Sequence, residues 1–317
     1  MIYEIIFFGL FVIINLITIY KLSSVAKFFK LIDRPSGRLH KKNTPKFGFF
    51  LFGYIIIFIF QFNFIINFNY KILFLNLFYF SFFIIGYLDD RYNINVVKRF
   101  ILATISVIFF YQINFNDYYI SNLFNPEINF ILLCFFTLGF IHLINITDGI
   151  NGLVPLLFLY SLIYYFIKSY GEIDIHIELL IILSIIGVSI YIIPNFFGLC
   201  FLGNIGSYLV AVITATIYME LYKINILEYS DIIMIFYIPL LDGLRVTLKR
   251  ISNNKNPFQG DFSHLHHLIR GKPKWIFLYF TLIFLPSFFN FFYKDLTIII
   301  AIIALINYLL FVNKHAK

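Results

Sequence analysis

The chain has 317 residues, 61% of them hydrophobic and only 13% charged, with a net charge of +8. Soluble domains run at roughly half apolar and about a quarter charged, so a soluble globular enzyme and a nucleic-acid binder are both excluded. What remains is an all-α polytopic membrane protein, because helices satisfy their own backbone in lipid, whereas a barrel would alternate polar and apolar residues.

The apolar windows predict eleven spans, each of about 20 residues or fewer. They are Ile2–Tyr20, Phe47–Phe64, Ile72–Leu88, Val96–Phe115, Ile128–Ile144, Gly152–Ile167, Ile175–Pro194, Ile205–Leu221, Tyr229–Leu241, Trp275–Phe292 and Leu296–Val312. The ninth is short and contains Asp231. The first has only Glu4 near its start, Lys21, Lys27 and Lys30 after it, and no small-residue cleavage site. It is expected to be a retained span and not a signal peptide. No repeat or linker divides the chain, so residues 1–317 are expected to form one membrane domain. The two cysteines, Cys134 and Cys200, form no CxxC and argue against a disulfide or zinc framework.

Basic residues set the orientation. Of the 24 Lys and Arg, 20 fall in the connections 21–46, 91–99 and 245–274 and in the tail, and only Lys71, Lys168, Lys223 and Lys294 fall on the other side. This places the N-terminus outside and the C-terminus in the cytoplasm, as an odd number of spans requires. Asp33, Asp89, Asp90, Asp148, Asp242 and Asp261 fall on the basic side, while all six Glu fall opposite. Short carboxylates gathered on one face suit a cation site with a phosphate ligand.

The motifs lie on that face. The first loop reads Asp33-Arg34-Pro35-Ser36-Gly37-Arg38-Leu39-His40, and Arg38 and His40 are candidates for phosphate oxygens. The third span ends in Gly86-Tyr87-Leu88-Asp89-Asp90-Arg91. Adjacent carboxylates repel and call for a metal or an Arg, and acids at a helix C-terminus oppose its dipole. Between the fifth and sixth spans stands Asn145-Ile146-Thr147-Asp148-Gly149-Ile150-Asn151-Gly152-Leu153. One helical turn would point Asn145, Asp148 and Asn151 into one space, although Asp-Gly and Asn-Gly also suit a tight interhelical turn. Gly203-Asn204-Ile205-Gly206-Ser207 at a helix start is a plausible anion-binding turn. Beyond Asp242 and Arg250 comes Pro257-Phe258-Gln259-Gly260-Asp261-Phe262-Ser263-His264-Leu265-His266-His267. Its histidines lack the HExxH spacing of a zinc site and suit diphosphate binding better.

In this order, the motifs resemble those of the polyprenyl-phosphate N-acetylhexosamine-1-phosphate transferases, over nearly the whole chain. The histidine motif is more similar to the branch that initiates O-antigen and teichoic acid than to the muramoyl-pentapeptide branch. The resemblance implies transfer of a sugar 1-phosphate from a UDP-N-acetylhexosamine to undecaprenyl phosphate with release of UMP, at the cytoplasmic face of the bacterial inner membrane. It implies magnesium, or manganese in its place, and it admits a homodimer. Asp89 and Asp90 would be catalytic. Asp89, Asp148 and Asn204 would hold the metal. Arg38, His40, Asn145, Asn151, Arg250, His264, His266 and His267 would bind substrate. The resemblance implies neither a direct displacement nor a covalent Asp intermediate over the other.

Three positions depart from the pattern of that family. Asn204 stands where its members carry a metal-binding Asp, Phe49 follows Gly48 where a second Gly is usual, and Phe262 follows Asp261 where Arg is common. Loss of the charge at Asn204 leaves a second reading open, a weakly active or non-catalytic homologue that binds nucleotide-sugar or lipid phosphate. A transporter is a third, but it would carry its acids near the bilayer midplane.

Overall fold

The computed structural model describes residues 2–34, 42–65, 68–114, 118, 124–255 and 263–315. Pro35, Arg38, His40, Pro257, Phe258, Asp261 and Phe262 lie outside the described residues.

α1 (Ile2–Tyr20) turns at Lys21 into α2 (Leu22–Phe28), and the two axes meet at 84°. A short antiparallel pair follows, β1 (Ile32–Asp33) against β2 (Thr44–Pro45), with Asp33 opposite Thr44. Long helices then succeed one another: α3 (Gly48–Ile65), α4 (Tyr70–Tyr92), α5 (Val96–Ile113), α6 (Pro126–Thr147), α7 (Leu153–Ser169), α8 (Ile175–Phe196) and α9 (Gly203–Lys223). The C-terminal part is α10 (Tyr229–Ile235), α11 (Tyr237–Ser252), the single turn α12 (Leu265–Leu268), α13 (Pro273–Phe292) and α14 (Thr297–His315). The protein is thus an all-α polytopic membrane protein.

Every apolar window of the sequence holds helix, but not every window holds one full-length span. Among the described residues, eight helices are long and apolar enough to cross a bilayer, or nine if the bent α1–α2 pair counts as one span. α7, with 17 residues, is about 25 Å long against a hydrocarbon core of about 30 Å. The ninth window is broken at Phe236 between α10 and α11. Asp231 sits in the first turn of α10, where its side chain accepts from the Glu228 backbone N–H in a capping box. α11 runs eleven residues past the expected end at Leu241, to Ser252. Its buried residues Ile238, Pro239, Asp242, Gly243, Val246 and Arg250 recur at helical spacing and form one inward face.

α9 is the centre of the bundle. Every residue from Ile205 to Met219 is buried, and the helix packs against α3, α4, α6 and α7. It is also the least apolar of the long spans, while the α14 span, among the most apolar, is the least buried. This inversion is what lipid imposes: the outer helices must be apolar, and the central one carries small and hydroxyl residues that let backbones approach and bond. Tyr79 on α4 bonds Thr216 on α9 at 2.6 Å, and Tyr111 on α5 bonds Thr137 on α6 at 2.8 Å. Each such bond contributes about 0.6 kcal/mol on average.

α4 and α9 approach closely at Gly86. A Cβ there would lie 2.5 Å from Ile205 Cα and 2.8 Å from Ile205 N. Backbone on both sides leaves nothing flexible to give way. Gly86→Val is expected to lower stability by about 1–3 kcal/mol or more, as overpacking does. The melting temperature in detergent should fall accordingly, and an unchanged one would mean that the two helices do not meet there.

Candidate active site

Asp89 and Asp90 lie within the last turn of α4, which ends at Asn93 in the left-handed conformation. Consecutive helix residues point about 100° apart, and the two acids consequently have different partners. Asp89 turns toward α5 and α9. Its Oδ2 accepts from Arg99 Nη1 at 2.6 Å and from the Tyr208 hydroxyl at 3.0 Å. Asp90 turns toward the start of α9. Its Oδ1 accepts from Lys46 Nζ at 2.9 Å and from the Asn204 backbone N–H at 3.0 Å, and its Oδ2 accepts from the Ile205 N–H at 3.1 Å. The N–H groups at the start of α9 do bind an anion, as the Gly203–Ser207 motif suggests, and that anion is the protein's own Asp90.

α6 ends at Thr147, so Asn145 is helical while Asp148 and Asn151 stand on the turn that leads into α7. All three nevertheless line one cavity of about 440 Å³, together with Asp90 and Asn204. The turn is fastened from α8, where Asn195 Oδ1 accepts from the Gly152 N–H at 2.7 Å and Asn195 Nδ2 donates to Cys200 O at 2.9 Å. Asn145 Nδ2 donates to Asn204 Oδ1 at 3.2 Å and to Ser207 Oγ at 3.1 Å. Among the described residues the Asp148 carboxylate has no hydrogen bond or ion pair. Burial pushes it up to about 7, and the charge of Asp90 adds to the rise.

The cavity lining includes the basic residues Lys46, His142, Arg250, His264, His267 and Arg270 and the acids Asp33, Asp90 and Asp148. His264 is held by Asp242 on α11, through Nδ1 and Oδ2 at 2.9 Å. The other oxygen of Asp242 accepts from Arg245 Nη2 at 2.8 Å and from the hydroxyl of Tyr308 on α14 at 2.7 Å. His266 does not line the cavity. It is buried behind it, its ring stacked on His264 at 5.4 Å. Burial, with His267 beside it, pushes its imidazole down to about 3. Its Nε2 rests against Gly149, where a Cβ would come within 2.0 Å. Asp89 lies outside the lining as well.

The structure therefore brings Asp90, Asn145, Asp148, Asn151, Asn204, Arg250, His264 and His267 to one cavity and sets Asp89 and His266 just behind it. Sequence reasoning missed Lys46, His142, Asn195 and Arg270. Lys46 and Arg270 stand among basic loop residues that topology alone accounts for, and His142 and Asn195 sit singly inside or at the end of apolar runs. A second cavity, about 390 Å³, lies at the far end of α4 and is lined by Phe68, Asn69, Tyr70, Asp174, Ile175 and His176, with no cationic cluster among these residues.

Comparison with known proteins relates the stretch that carries much of this cavity to a family. A sequence model described as glycosyl transferase family 4 matches residues 72–222, the stretch that carries Asp89, Asp90, the Asn145–Leu153 turn and the Gly203–Ser207 motif. The chain is thus similar to this family over just under half of its length. It is 25% identical over 270 residues to the undecaprenyl-phosphate α-N-acetylglucosaminyl 1-phosphate transferase of Thermotoga maritima, covering 84% of this chain and 81% of that protein. It is 31% identical over 179 residues to the phospho-N-acetylmuramoyl-pentapeptide-transferase of Prochlorococcus marinus, covering 46% of this chain and 49% of that one. The Yersinia pestis counterpart of the first is 26% identical over 200 residues, 58% of this chain and 54% of its own. The match thus spans about half the length of the last two.

The contact between Gly149 and His266 can be tested by exchange. Gly149→Ala should displace the His266 ring and with it His264 and His267, lowering the melting temperature and any ligand affinity of the cavity. His266→Ala makes the room that the added methyl group needs. The double variant should consequently be more stable than the sum of the single effects predicts, with coupling in the 0.5–3 kcal/mol range of touching residues. Strict additivity would refute the contact.

Proposed function

We propose that the protein transfers an N-acetylhexosamine 1-phosphate from a UDP-sugar to undecaprenyl phosphate, releasing UMP and starting a lipid-linked glycan of the bacterial envelope. The observation that carries this reading is the cavity at the helix ends, whose wall carries both Asp148, a carboxylate with no partner among the described residues, and the basic side chains of Lys46, Arg250, Arg270 and three histidines. Such a wall suits the phosphates of two anionic substrates. The excess of basic residues in the connections on this side supports an active site at the cytoplasmic face of the inner membrane, with the N-terminus outside and the C-terminus inside.

The donor set fits a divalent cation. Asp148 offers a carboxylate that nothing else among the described residues engages, and the Asn204 carbonyl keeps a lone pair beyond its bond from Asn145. Among the described residues no three His, Cys, Asp or Glu converge on a metal position, so the remaining ligands would be diphosphate oxygens and water, as magnesium commonly accepts. Bound magnesium or manganese would neutralise charge on the diphosphate.

In the transfer, a lipid phosphate oxygen forms a bond to the sugar-bearing phosphorus, the bridging P–O bond breaks, and its electron pair leaves with UMP. A phosphate monoester has its second pKa near 6, so at neutral pH the nucleophile is largely formed without a base. The Asp90 carboxylate receives three N–H donors and Asp89 is bound by Arg99 and Tyr208. Both are poor nucleophiles in that state, which favours direct displacement over an aspartyl intermediate. Asp90 holds the start of α9 in place. Arg250, Arg270 and His267 bind phosphate oxygens, and Asp242 orients His264 toward the same charge. The second reading, a binding protein with little turnover, rests on the neutral Asn204.

The deciding experiment is UMP release by purified protein with undecaprenyl phosphate, magnesium and a panel of UDP-N-acetylhexosamines. Asp148→Asn should reduce the rate by at least a hundredfold while leaving the fold intact, because the carboxylate it neutralises has no partner to lose. Asn204→Asp should lower the magnesium concentration for half-maximal rate by roughly 10–100-fold, the scale of a ligand-shell change. Release only by Asn204→Asp would favour the second reading, and silence throughout would remove the transferase.

Asp148 also predicts a pH dependence. Its folded pKa of about 7 lies above the unfolded value of about 4. Without metal, the folded state binds more protons there, and stability falls as pH rises from about 4 through about 7. Metal needs the ionised form, so the rise in melting temperature on adding magnesium should be small at pH 6 and larger at pH 8. An equal rise at both would show that Asp148 does not hold the ion.

A further inference from the structure

Lys46 enters the cavity from a segment held on two sides. Its backbone N–H donates to Leu31 O at 2.9 Å, and the residues flanking it exchange hydrogen bonds of 2.8 Å with Phe201. The side chain reaches Asp90, with Nζ 2.9 Å from Oδ1 and 3.3 Å from the backbone carbonyl. An ammonium has three N–H donors. Two are used on Asp90, and among the described residues no group takes the third. The side chain is 14% exposed, and that exposure is to the cavity.

Charge on the two walls gives that third donor its role. The charge of Asp90 is met by Lys46 and by two N–H groups at the positive end of α9. Asn204 adds none. Of the carboxylates around Asn204, Asp148 has no hydrogen bond or ion pair among the described residues and is the one placed to take a divalent ion. A nucleoside diphosphate and a lipid phosphate together bring more negative charge than one ion balances. Lys46 is a fixed cation at the edge of Asn204, where a carboxylate would otherwise draw metal. With Asn in that place, no acid at position 204 competes for the ammonium.

We propose that Lys46 is a phosphate-binding residue of this site, whose ammonium binds the diphosphate of the nucleotide directly, so that nucleotide is recognised even without divalent metal. This rests on the reading of the cavity as a nucleotide-sugar site. The neutral residue at 204 and the cation at 46 then belong together: the first weakens the hold on metal, and the second supplies part of the charge that metal would bring.

The test is calorimetric titration of the purified full chain with UDP in EDTA, with UMP release in magnesium measured in parallel. The wild type should bind UDP in EDTA, more weakly at high salt. Lys46→Gln, which still donates to Asp90, should lose at least tenfold of that affinity, and Lys46→Arg should keep most of it. Asn204→Asp should also lose several-fold in EDTA while gaining in magnesium, since the new carboxylate draws the ammonium away. Thermal melts establish that each variant is folded, and Asn204→Asp tests the proposal with both Lys46 and Asp90 left in the chain. No UDP binding by the wild type in EDTA, or binding by Lys46→Gln and Asn204→Asp as tight as that of the wild type, overturns the proposal. If the wild type turns over and Lys46→Gln binds as tightly, only Lys46 fails. If nothing turns over yet Lys46→Gln alone loses UDP, the transferase reading fails and the nucleotide site stands.

Discussion

The fold and the site both hang on the carboxylate of Asp90. It is 8% exposed, receives three N–H donors, and joins three segments that are remote in sequence: the β2–α3 connection through Lys46, the end of α4, and the start of α9. An acid at the C-terminal end of its own helix is unfavourable, and the positive end of α9 reverses that balance. Removing one partner of such a buried pair costs roughly 3–5 kcal/mol, because the other charge is left without compensation. Gly86, one turn earlier on α4, allows the two backbones to approach closely enough for these bonds to form. Small residue and acid are therefore parts of one device, and the position of the whole α9 helix follows from it.

Around that device, the remaining acids differ by what has been left to them. Asp89 is neutralised by Arg99 from α5, and Asp242 by Arg245, His264 and Tyr308. Asp148 alone among these is open to the cavity. A site built in this way keeps its negative charges out of competition with an anionic substrate and leaves one for a cation. The cationic side chains that remain come from the β2–α3 connection, from α11 and from the segment around α12, which face each other across the turn between α6 and α7.

Much of this was legible in the sequence, for physical reasons that also explain what was not. Lipid demands continuous apolar runs, so the helices announced themselves, and polar residues in a sparse background stood out as motifs. Asp148, Asn145 and Asn151 were found in that way. The ninth window misled because its apolar run carries Asp231 and Pro239, which break it into a capped turn and a second helix. Helical spacing brought Asn145, Asp148 and Asn151 together on paper, and they do meet at one cavity, but by way of a turn fastened to Asn195. Lys46 was hidden by the rule that basic residues mark the cytoplasmic side, since that rule accounts for any lysine in a loop. The separate fates of Asp89 and Asp90 were also out of reach: the sequence shows twins, and only the rotation of the helix decides which one faces the cavity.

The histidine segment shows how the periphery of the bundle reaches the centre. Tyr308 sits on α14, among the most lipid-exposed of the helices, yet its own side chain is buried and its hydroxyl bonds Asp242. Asp242 in turn holds His264 and the Leu265 N–H. His266, stacked behind His264, presses on Gly149, which adjoins Asp148. A chain of direct contacts thus runs from α14 to the residue beside Asp148 at the cavity. Its members are a hydroxyl, a carboxylate, two imidazoles and a glycine, and each is fixed by a packing or hydrogen-bond partner. The imidazole that is buried stays neutral, so it can transmit position without adding charge. The imidazole beside it faces the cavity and is held by a carboxylate. In this arrangement the adjacent histidines divide the work as the adjacent aspartates do, one supporting the wall and one forming it.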